Sequence, residues 1–237
     1  MRGLRGQVTE WPKRLPVLTA EQERIREDFY RVWLETLPRK YRLLEWFDHT
    51  YPARRAREGE RTLEVGAGLG TQIRYERVPQ AEWAAVDVRA SMVEQLRREF
   101  PDVRAHVADC QAELPFPDHA FDRVLAVHVL EHMPNLPPAL YEIRRVLRPE
   151  GRLVVLLPCE GGLMHRLARR VSARPLFERR YGTSYDWFVA TEHCNLPHEV
   201  AHELRTLFRI EDITFFPLLL PSVNLNLVFG MTLRPLP

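Results

Sequence analysis

Apolar and polar positions change period twice along the chain, and these changes divide it into three stretches. From Thr19 to about Leu37 the apolar residues Ile25, Phe29, Val32, Trp33 and Leu37 recur at helical spacing and form one burying stripe. Thr19 and Gln22 have the spacing of a capping box at its start, and Pro38 is expected to end it. A second amphipathic segment follows from Tyr41 to Phe47. This helical preface reads as a cover for a sheet edge, with a lid over a binding site as the alternative, because an aromatic stripe usually belongs to a core.

From Arg61 short apolar strands alternate with helices. Strands are expected at Thr62 to Val65, Trp83 to Val86, Val103 to Val107, Phe121 to Val127 and Leu153 to Leu157. Helices are expected at Thr71 to Val78, Ser91 to Phe100 and Asn135 to Leu147. Strands with no polar alternation are buried on both faces, which predicts a parallel, doubly wound α/β sheet with right-handed crossovers. An arginine-rich helical region from Leu163 to Tyr181 and a helix from Pro197 to Phe208 come next. Then Arg209 to Phe216 and Leu225 to Leu233 leave no room for a crossover helix and should pair antiparallel. The expected whole is a mostly parallel seven-stranded sheet with an antiparallel C-terminal strand. Residues 1–60 form an N-terminal helical extension, 61–237 form the main domain, and 159–208 form an insertion within it.

At 237 residues the chain suits one domain with appendages. A net charge of +2 gives no global electrostatic case for nucleic acid. Cys110, Cys159 and Cys194 are isolated, so neither a zinc site nor a disulfide framework is expected, and a reducing, cytoplasmic setting follows. No run is long and apolar enough to span a bilayer, and no secretory signal is legible.

The chemistry should lie beyond the carboxyl ends of the parallel strands. Leu63-Glu64-Val65-Gly66-Ala67-Gly68-Leu69-Gly70 reads as strand, tight turn and helix start, with glycines clearing the backbone and unpaired N–H groups facing a ligand. A glycine turn also arises where a helix packs tightly on a sheet, so the turn alone decides nothing. Asp87, about twenty residues on, sits where a carboxylate accepts both hydroxyls of a ribose. Asp109 with Cys110, His128 and the Glu131-His132 pair occupy the next strand ends. A dinucleotide oxidoreductase competes, but its third glycine is replaced by Thr71, and the antiparallel final pair is foreign to that fold.

Five segments in order carry a resemblance: residues 63–70, Val-Asp-Val-Arg-Ala-Ser-Met at 86–92, Ala-Asp-Cys-Gln-Ala-Glu-Leu-Pro-Phe-Pro-Asp at 108–118, Phe-Asp-Arg-Val-Leu-Ala-Val-His-Val-Leu-Glu-His-Met at 121–133 and Val-Leu-Arg-Pro-Glu-Gly-Arg-Leu at 146–153. Together they resemble the class I S-adenosylmethionine-dependent methyltransferases, in the small-molecule branch that methylates quinones and sugars. The resemblance implies S-adenosylmethionine as cofactor. Glu64 and the backbone of Gly66, Ala67 and Gly68 would hold its methionine end, Asp87 the ribose and Val88 the adenine face. Asp109 would accept from the adenine amine, the Cys110 N–H would serve a ring nitrogen, and His128 would pass close to the sulfonium.

Methyl transfer from an activated sulfonium mainly needs an aligned acceptor and, for a hydroxyl, removal of its proton. His132 is the first candidate base, with an ordering role for the Glu-His pair as the alternative, and His193 is the second. Tyr185, Asp186 and Trp187 are candidates to line the acceptor pocket. Arg166, Arg169, Arg170, Arg174, Arg179 and Arg180 read as one solvated face, or as a contact to an anionic acceptor or a membrane surface. The run from Phe215 to Pro221 reads as buried strand and turn rather than a lipid-facing patch. The acceptor is expected to be a small molecule, glycosylated, lipid-linked or polyketide-like, methylated on oxygen, nitrogen or carbon. The fourth-strand segment lacks the Pro-Pro-aromatic signature of nucleic-acid amine methyltransferases. A non-catalytic binding or scaffold subunit with the same fold is the alternative.

Overall fold

The computed structural model describes residues 10–237, apart from the side chains of 33–40. Helix α1 (Ala20–Lys40) starts with the expected reciprocal cap: Gln22 N–H donates to Thr19 Oγ1 at 3.2 Å and Thr19 N–H to Gln22 Oε1 at 2.9 Å. It continues past Pro38, since one proline forfeits a single backbone bond and does not oblige the helix to stop at Leu37. The expected inward positions Trp33 and Leu37 fall outside the described side chains. Helix α2 (Arg42–Ala53) is longer than the expected segment and contains Pro52.

The sheet then builds from β1 (Thr62–Val65), β2 (Trp83–Asp87), α3 (Ala90–Glu99), β3 (Arg104–Val107), β4 (Phe121–Val127), α4 (Leu136–Val146) and β5 (Leu147–Pro158). Four helices follow: α5 (Leu163–Val171), α6 (Ala173–Tyr181), α7 (Asp186–Glu192) and α8 (Pro197–Leu207). Strands β6 (Phe208–Phe216) and β7 (Val228–Pro235) close the sheet. Its order is β3-β2-β1-β4-β5-β7-β6, with β7 antiparallel to both neighbours and the first five strands parallel. The doubly wound reading and the antiparallel C-terminal strand are thus both found.

Two boundaries moved for local reasons. The expected helix from Thr71 to Val78 is a single 3₁₀ turn, Thr71–Tyr75, because Pro79 disfavours helical backbone at Val78. Pro149 likewise keeps Arg148 out of a helix, so α4 stops at Val146 and β5 starts at Leu147, six residues ahead of the expected Leu153.

Side chains alternate across the sheet as strand geometry requires. Val124, Ala126, Leu153 and Val155 pack on one face with Leu140 and Ile143 of α4 and Leu204 of α8. Leu125, Val154 and Leu156 pack on the other with Val93 and Leu96 of α3 and Phe47 and Tyr51 of α2. Helix α2 of the preface therefore covers a sheet face rather than an edge. Gly230 on β7 makes room for it, since a Cβ there would come 2.4 Å from the Tyr51 ring. Helix α1 packs elsewhere: Phe29 stands edge-on to Phe177 of α6 and Phe188 of α7, with centroids at 5.0 and 5.1 Å.

Candidate active site

Of the three glycines after β1, only Gly68 opens onto free space. A Cβ at Gly66 would come 2.3 Å from Val129 Cγ2, and one at Gly70 would crowd Ile73, Phe100 and Leu96 at 3.1–3.2 Å. At Gly68 the nearest atom is Met92 Sδ, 3.9 Å away, and the backbone takes φ +54°, a conformation that favours glycine. The expectation of unpaired N–H groups at the turn is corrected: Ala67 N–H donates to Val86 O at 3.1 Å, and Gly68 N–H to Asp87 Oδ2 at 2.9 Å. These donors are spent on β2, so the turn is a poor cradle for a pyrophosphate.

Its carboxylates suit a cation and a diol. Glu64 is 4 % exposed, and its Oε2 has no hydrogen-bond partner among the described residues. Burial, with Glu76 nearby, pushes its carboxyl up to about 8, so an arriving ammonium group would ionise and pair it. Asp87, 3 % exposed, accepts at Oδ1 from the Arg89 N–H at 2.9 Å and from its Nε at 3.1 Å. Val88 stands exposed beside it. Asp109 is exposed and accepts from the Gln111 N–H at 2.9 Å. Cys110 is buried against Met133, and burial pushes its thiol up to about 12, which leaves only its backbone for ligand contact.

Beyond β4 the ionisable groups alternate in sign. His128 has φ +50°, and its ring lies between two carboxylates: Nε2 is 3.2 Å from Asp48 Oδ2 and Nδ1 is 3.4 Å from Glu131 Oε1. Burial opposes the imidazolium, but Asp48 and Glu131 outweigh it and hold His128 well above its ordinary value. Burial likewise raises Glu131, yet the hydrogen bond and positive charge of His128 keep it below the usual carboxylate range. Burial lowers His132 despite Glu131 beside it. His132 Nδ1 lies 2.6 Å from Glu192 O, a carbonyl that can only accept, so Nδ1 carries the proton and Nε2 the lone pair.

Asn195 holds this turn in place. Its Nδ2 donates to Leu130 O at 2.8 Å and Met133 O at 2.7 Å, which draws His193 towards His132, and the two rings meet edge-on at 5.1 Å. His193 Nδ1 lies 2.9 Å from Glu160 Oε2, just past β5. Burial would raise Glu160, but His193, His165 and Arg169 pull it far below its ordinary value. Arg89 joins the two halves of the site: its guanidinium lies 5.1 Å from the centroid of the Tyr30 ring, and the Tyr30 hydroxyl donates to Glu192.

The structure thus gathers His128, His132 and His193, and it places Glu64, Gly68 and Asp87 at the adjoining strand ends. It places Tyr185 at the edge of this site, its ring centroid 5.9 Å from the Arg169 guanidinium that pairs with Glu160, and does not gather Asp186 and Trp187 there. Tyr185 stacks on Phe188 in the aromatic cluster under α1, Trp187 packs edge-on to Phe177 in the same cluster, and Asp186 pairs with Arg174 in solvent. The six arginines do not share one face either. Arg169 is turned inward to Glu160, Arg174 pairs with Glu178, and Arg180 with Asp28. Sequence reading missed Asp48, Glu160, Arg89 and Tyr30. Asp48 had a signal, since it follows Leu44 by one helical turn on the stripe that Phe47 and Tyr51 bury. Glu160 also had one, standing beyond the fifth strand as Asp87 ends the second. Among the described residues no group of three or more His, Cys, Asp or Glu is arranged to hold a metal ion, and no helix is long and apolar enough to cross a membrane.

Residues 63–155 match the model of a methyltransferase domain. The chain is 30% identical to the demethylmenaquinone methyltransferase of Tropheryma whipplei (strain Twist) over 56% of its own length and 62% of that protein's. It is 36% identical to the ubiquinone/menaquinone biosynthesis C-methyltransferase UbiE of Bordetella avium, over 47% of this chain and 46% of that one. The chain therefore spans less than two thirds of either relative. The fold is similar to that of the 1,6-didemethyltoxoflavin-N1-methyltransferase of Burkholderia thailandensis, solved with its substrate and S-adenosylhomocysteine. The TM-score is 0.58 at 20% identity, covering 94% of this chain and 93% of that one. The motif series and the sheet order agree with the match of residues 63–155 to a methyltransferase domain.

Proposed function

We propose that this chain is an enzyme that transfers a methyl group from S-adenosylmethionine to an oxygen, nitrogen or carbon of a small-molecule acceptor. The observation that carries this reading is the pairing of a neutral imidazole of fixed tautomer, His132, with a strand-end site whose carboxylates suit a cationic cofactor. The cofactor supplies a methyl group already activated on sulfur. Glu64 and the backbone of Gly66, Ala67 and Gly68 would hold its methionine end through the ammonium group, the Ala67 and Gly68 N–H groups being engaged by β2, and Asp87 would hold its ribose, with Arg89 sharing or yielding that carboxylate. Val88, Asp109 and the Cys110 backbone serve the adenine. The two carboxylates around the imidazolium of His128 leave that cluster one net negative charge, which favours a sulfonium nearby.

His132 Nε2 is the atom that takes an acceptor's proton. His193, held by Glu160, is the second candidate base and faces the acceptor from the insertion. The named relatives support a small acceptor, and the near-balanced charge makes no global electrostatic case for nucleic acid. Residues 1–60 act as an extension to a methyltransferase domain at 61–237, with 159–208 as its acceptor-side insertion. The free cysteines suit the cytoplasm.

Calorimetry should show binding of S-adenosylhomocysteine and none of NAD, and absent affinity for the former would refute the assignment. With an acceptor found by screening for S-adenosylhomocysteine release, His132→Gln should keep that affinity and lose about 10²–10⁴-fold in kcat. A variant that turns over like the parent would remove His132 from the chemistry.

A further inference from the structure

Helix α5 is amphipathic the wrong way round. Its polar residues His165 and Arg169 face the protein, where both approach Glu160, at 16 % and 14 % side-chain exposure. Its apolar residues Leu163, Met164, Leu167 and Val171 are 49, 37, 46 and 80 % exposed, and none of its residues is buried. At about 3.6 residues per turn those four fall within an arc of roughly 100°. Beside that arc stand Arg166 and Arg170, both exposed and, among the described residues, in no ion pair.

A second segment extends the same surface. Gly162, at the start of α5, packs on Val223 so closely that a Cβ would come 2.2 Å from its carbonyl oxygen, and the Leu163 N–H reaches Asn224 Oδ1 at 3.4 Å. The connection between β6 and β7 is thereby fixed against α5. It presents Leu218, Leu219, Leu220 and Leu225 at 51, 69, 51 and 39 % exposure, which corrects the expectation that this run is buried. The loop is built to do so. Asn226, fully buried, accepts from the Leu218 N–H at 2.8 Å and donates to Leu220 O at 2.8 Å and Ser222 O at 2.9 Å. Leu219 is held at φ +57°, a backbone that disfavours any side chain. Leucines fixed into water by a buried amide and a left-handed backbone mark a contact surface.

We propose that α5 and the β6–β7 loop together form a docking surface for an anionic lipid bilayer. The apolar arc and the leucine loop enter the headgroup boundary, while Arg166 and Arg170 meet lipid phosphates. The charge on this face selects that occupant. Residues 217–227 carry no ionisable group, and α5 carries three arginines and no acid. A second copy meeting this face about a two-fold axis would set an arginine-bearing, acid-free face against an identical one, whereas a bilayer supplies the opposite charge. Docking here sets the Glu160–His193 side of the site against the membrane, which suits an acceptor with an apolar tail. That last statement alone rests on the proposed methyl transfer.

The test is co-sedimentation of the full chain with vesicles of phosphatidylcholine alone and of phosphatidylcholine with phosphatidylglycerol at roughly two to one. The anionic vesicles should bind the chain and the neutral ones should bind it at least about fivefold more weakly. Leu167→Gln with Leu219→Gln should weaken binding about tenfold or more, and Arg166→Gln with Arg170→Gln should remove most of the preference for anionic lipid. Circular dichroism and S-adenosylhomocysteine calorimetry on each variant confirm an intact fold. No sedimentation of the wild type, or equal sedimentation of all variants, overturns the proposal. So does self-association in light scattering that the leucine variant abolishes while wild-type vesicle binding is absent. Vesicle binding is read without acceptor or turnover, so its failure is distinct from failure of the catalytic reading.

Discussion

Replacing Asp48 with Asn probes the charge pattern at the site without changing its shape. Among the described residues Asp48 is the one carboxylate that the N-terminal helices contribute to His128, 3.2 Å from Nε2, and it is 4 % exposed. A hydrogen bond to a charged group contributes about 1.5–3 kcal/mol, and the imidazole ring, one third open to solvent, belongs at the lower end. A loss of about 1.5 kcal/mol corresponds to a fall of roughly one pH unit in the midpoint of His128. Glu131 remains at 3.4 Å, so the variant's midpoint should still lie above 6.5. Proton–carbon correlation spectra of the imidazole rings read this midpoint directly.

The same change has a signature in stability. Because the folded value of His128 is raised above the unfolded 6.5, its contribution is fully present below pH 6.5 and is lost as pH rises through the folded midpoint. Between about pH 5 and 6.5 the Asp48→Asn variant should therefore be less stable by about 1.5 kcal/mol in urea denaturation. The gap should close, and can reverse, at higher pH, where the parent holds a buried carboxylate against a neutral ring. A gap that does not vary with pH, or an unmoved His128 midpoint, would refute the reasoning.

Asp87→Ala should weaken S-adenosylhomocysteine binding by about 2–3 kcal/mol, roughly 30–150-fold in calorimetry, since hydrogen bonds to a charged acceptor are lost. An unchanged dissociation constant would place the ribose elsewhere. Gly66→Ala should destabilise by more than about 3 kcal/mol, because its Cβ would strike Val129 at φ +68°, whereas Gly68→Ala should cost only about 1–2 kcal/mol of strain and act mainly on cofactor affinity. Thermal denaturation with calorimetry separates the two. Arg123 is fully buried on β4, with Nη2 2.9 Å from Glu76 and Nε 3.7 Å from Glu60; Arg123→Met should cost about 3–5 kcal/mol in urea denaturation, and adding Glu76→Gln should recover part of that loss.

Most of the sheet was legible in the chain because burial on both faces forces an unbroken apolar run. Thr62–Val65 and Phe121–Val127 have the bounds the pattern predicts, the first between Arg61 and Gly66 and the second ending at His128. The misplaced boundaries have a different origin. At Val78 a proline one residue ahead overrides a pattern that favours helix, and Pro149 holds Arg148 extended where the pattern placed no strand. Pattern reading averages over a window, whereas such a proline acts on the single residue before it. The leucine loop misled for a related reason: composition says that apolar residues are buried, and only the three bonds of Asn226 show that here they are held outside.

The candidate site divides along the same line. Glu64, Asp87, Asp109, His128 and His132 were legible because parallel topology fixes where strand ends lie. Asp48 and Glu160 come from segments whose placement depends on tertiary packing: Tyr51 fitting over Gly230 in one case, and α5 folding back onto Val223 in the other. Their absence from the sequence reading matters, because they set the charge of everything else. Without Asp48, His128 faces one carboxylate and gains less protonation; without Glu160, His193 and His165 stand beside Arg169 with no acid to offset it. A strand-end site lined by histidines alone would become positive as pH falls and would repel a sulfonium. With both acids in place and Glu64 held ready to ionise, the same histidines lie in a site that is neutral to negative, and His132 keeps its lone pair. That balance disfavours a pyrophosphate independently of the missing third glycine. The Ala67 and Gly68 N–H groups of the turn are already bonded to β2, and Glu64 and Asp87 beside them are carboxylates.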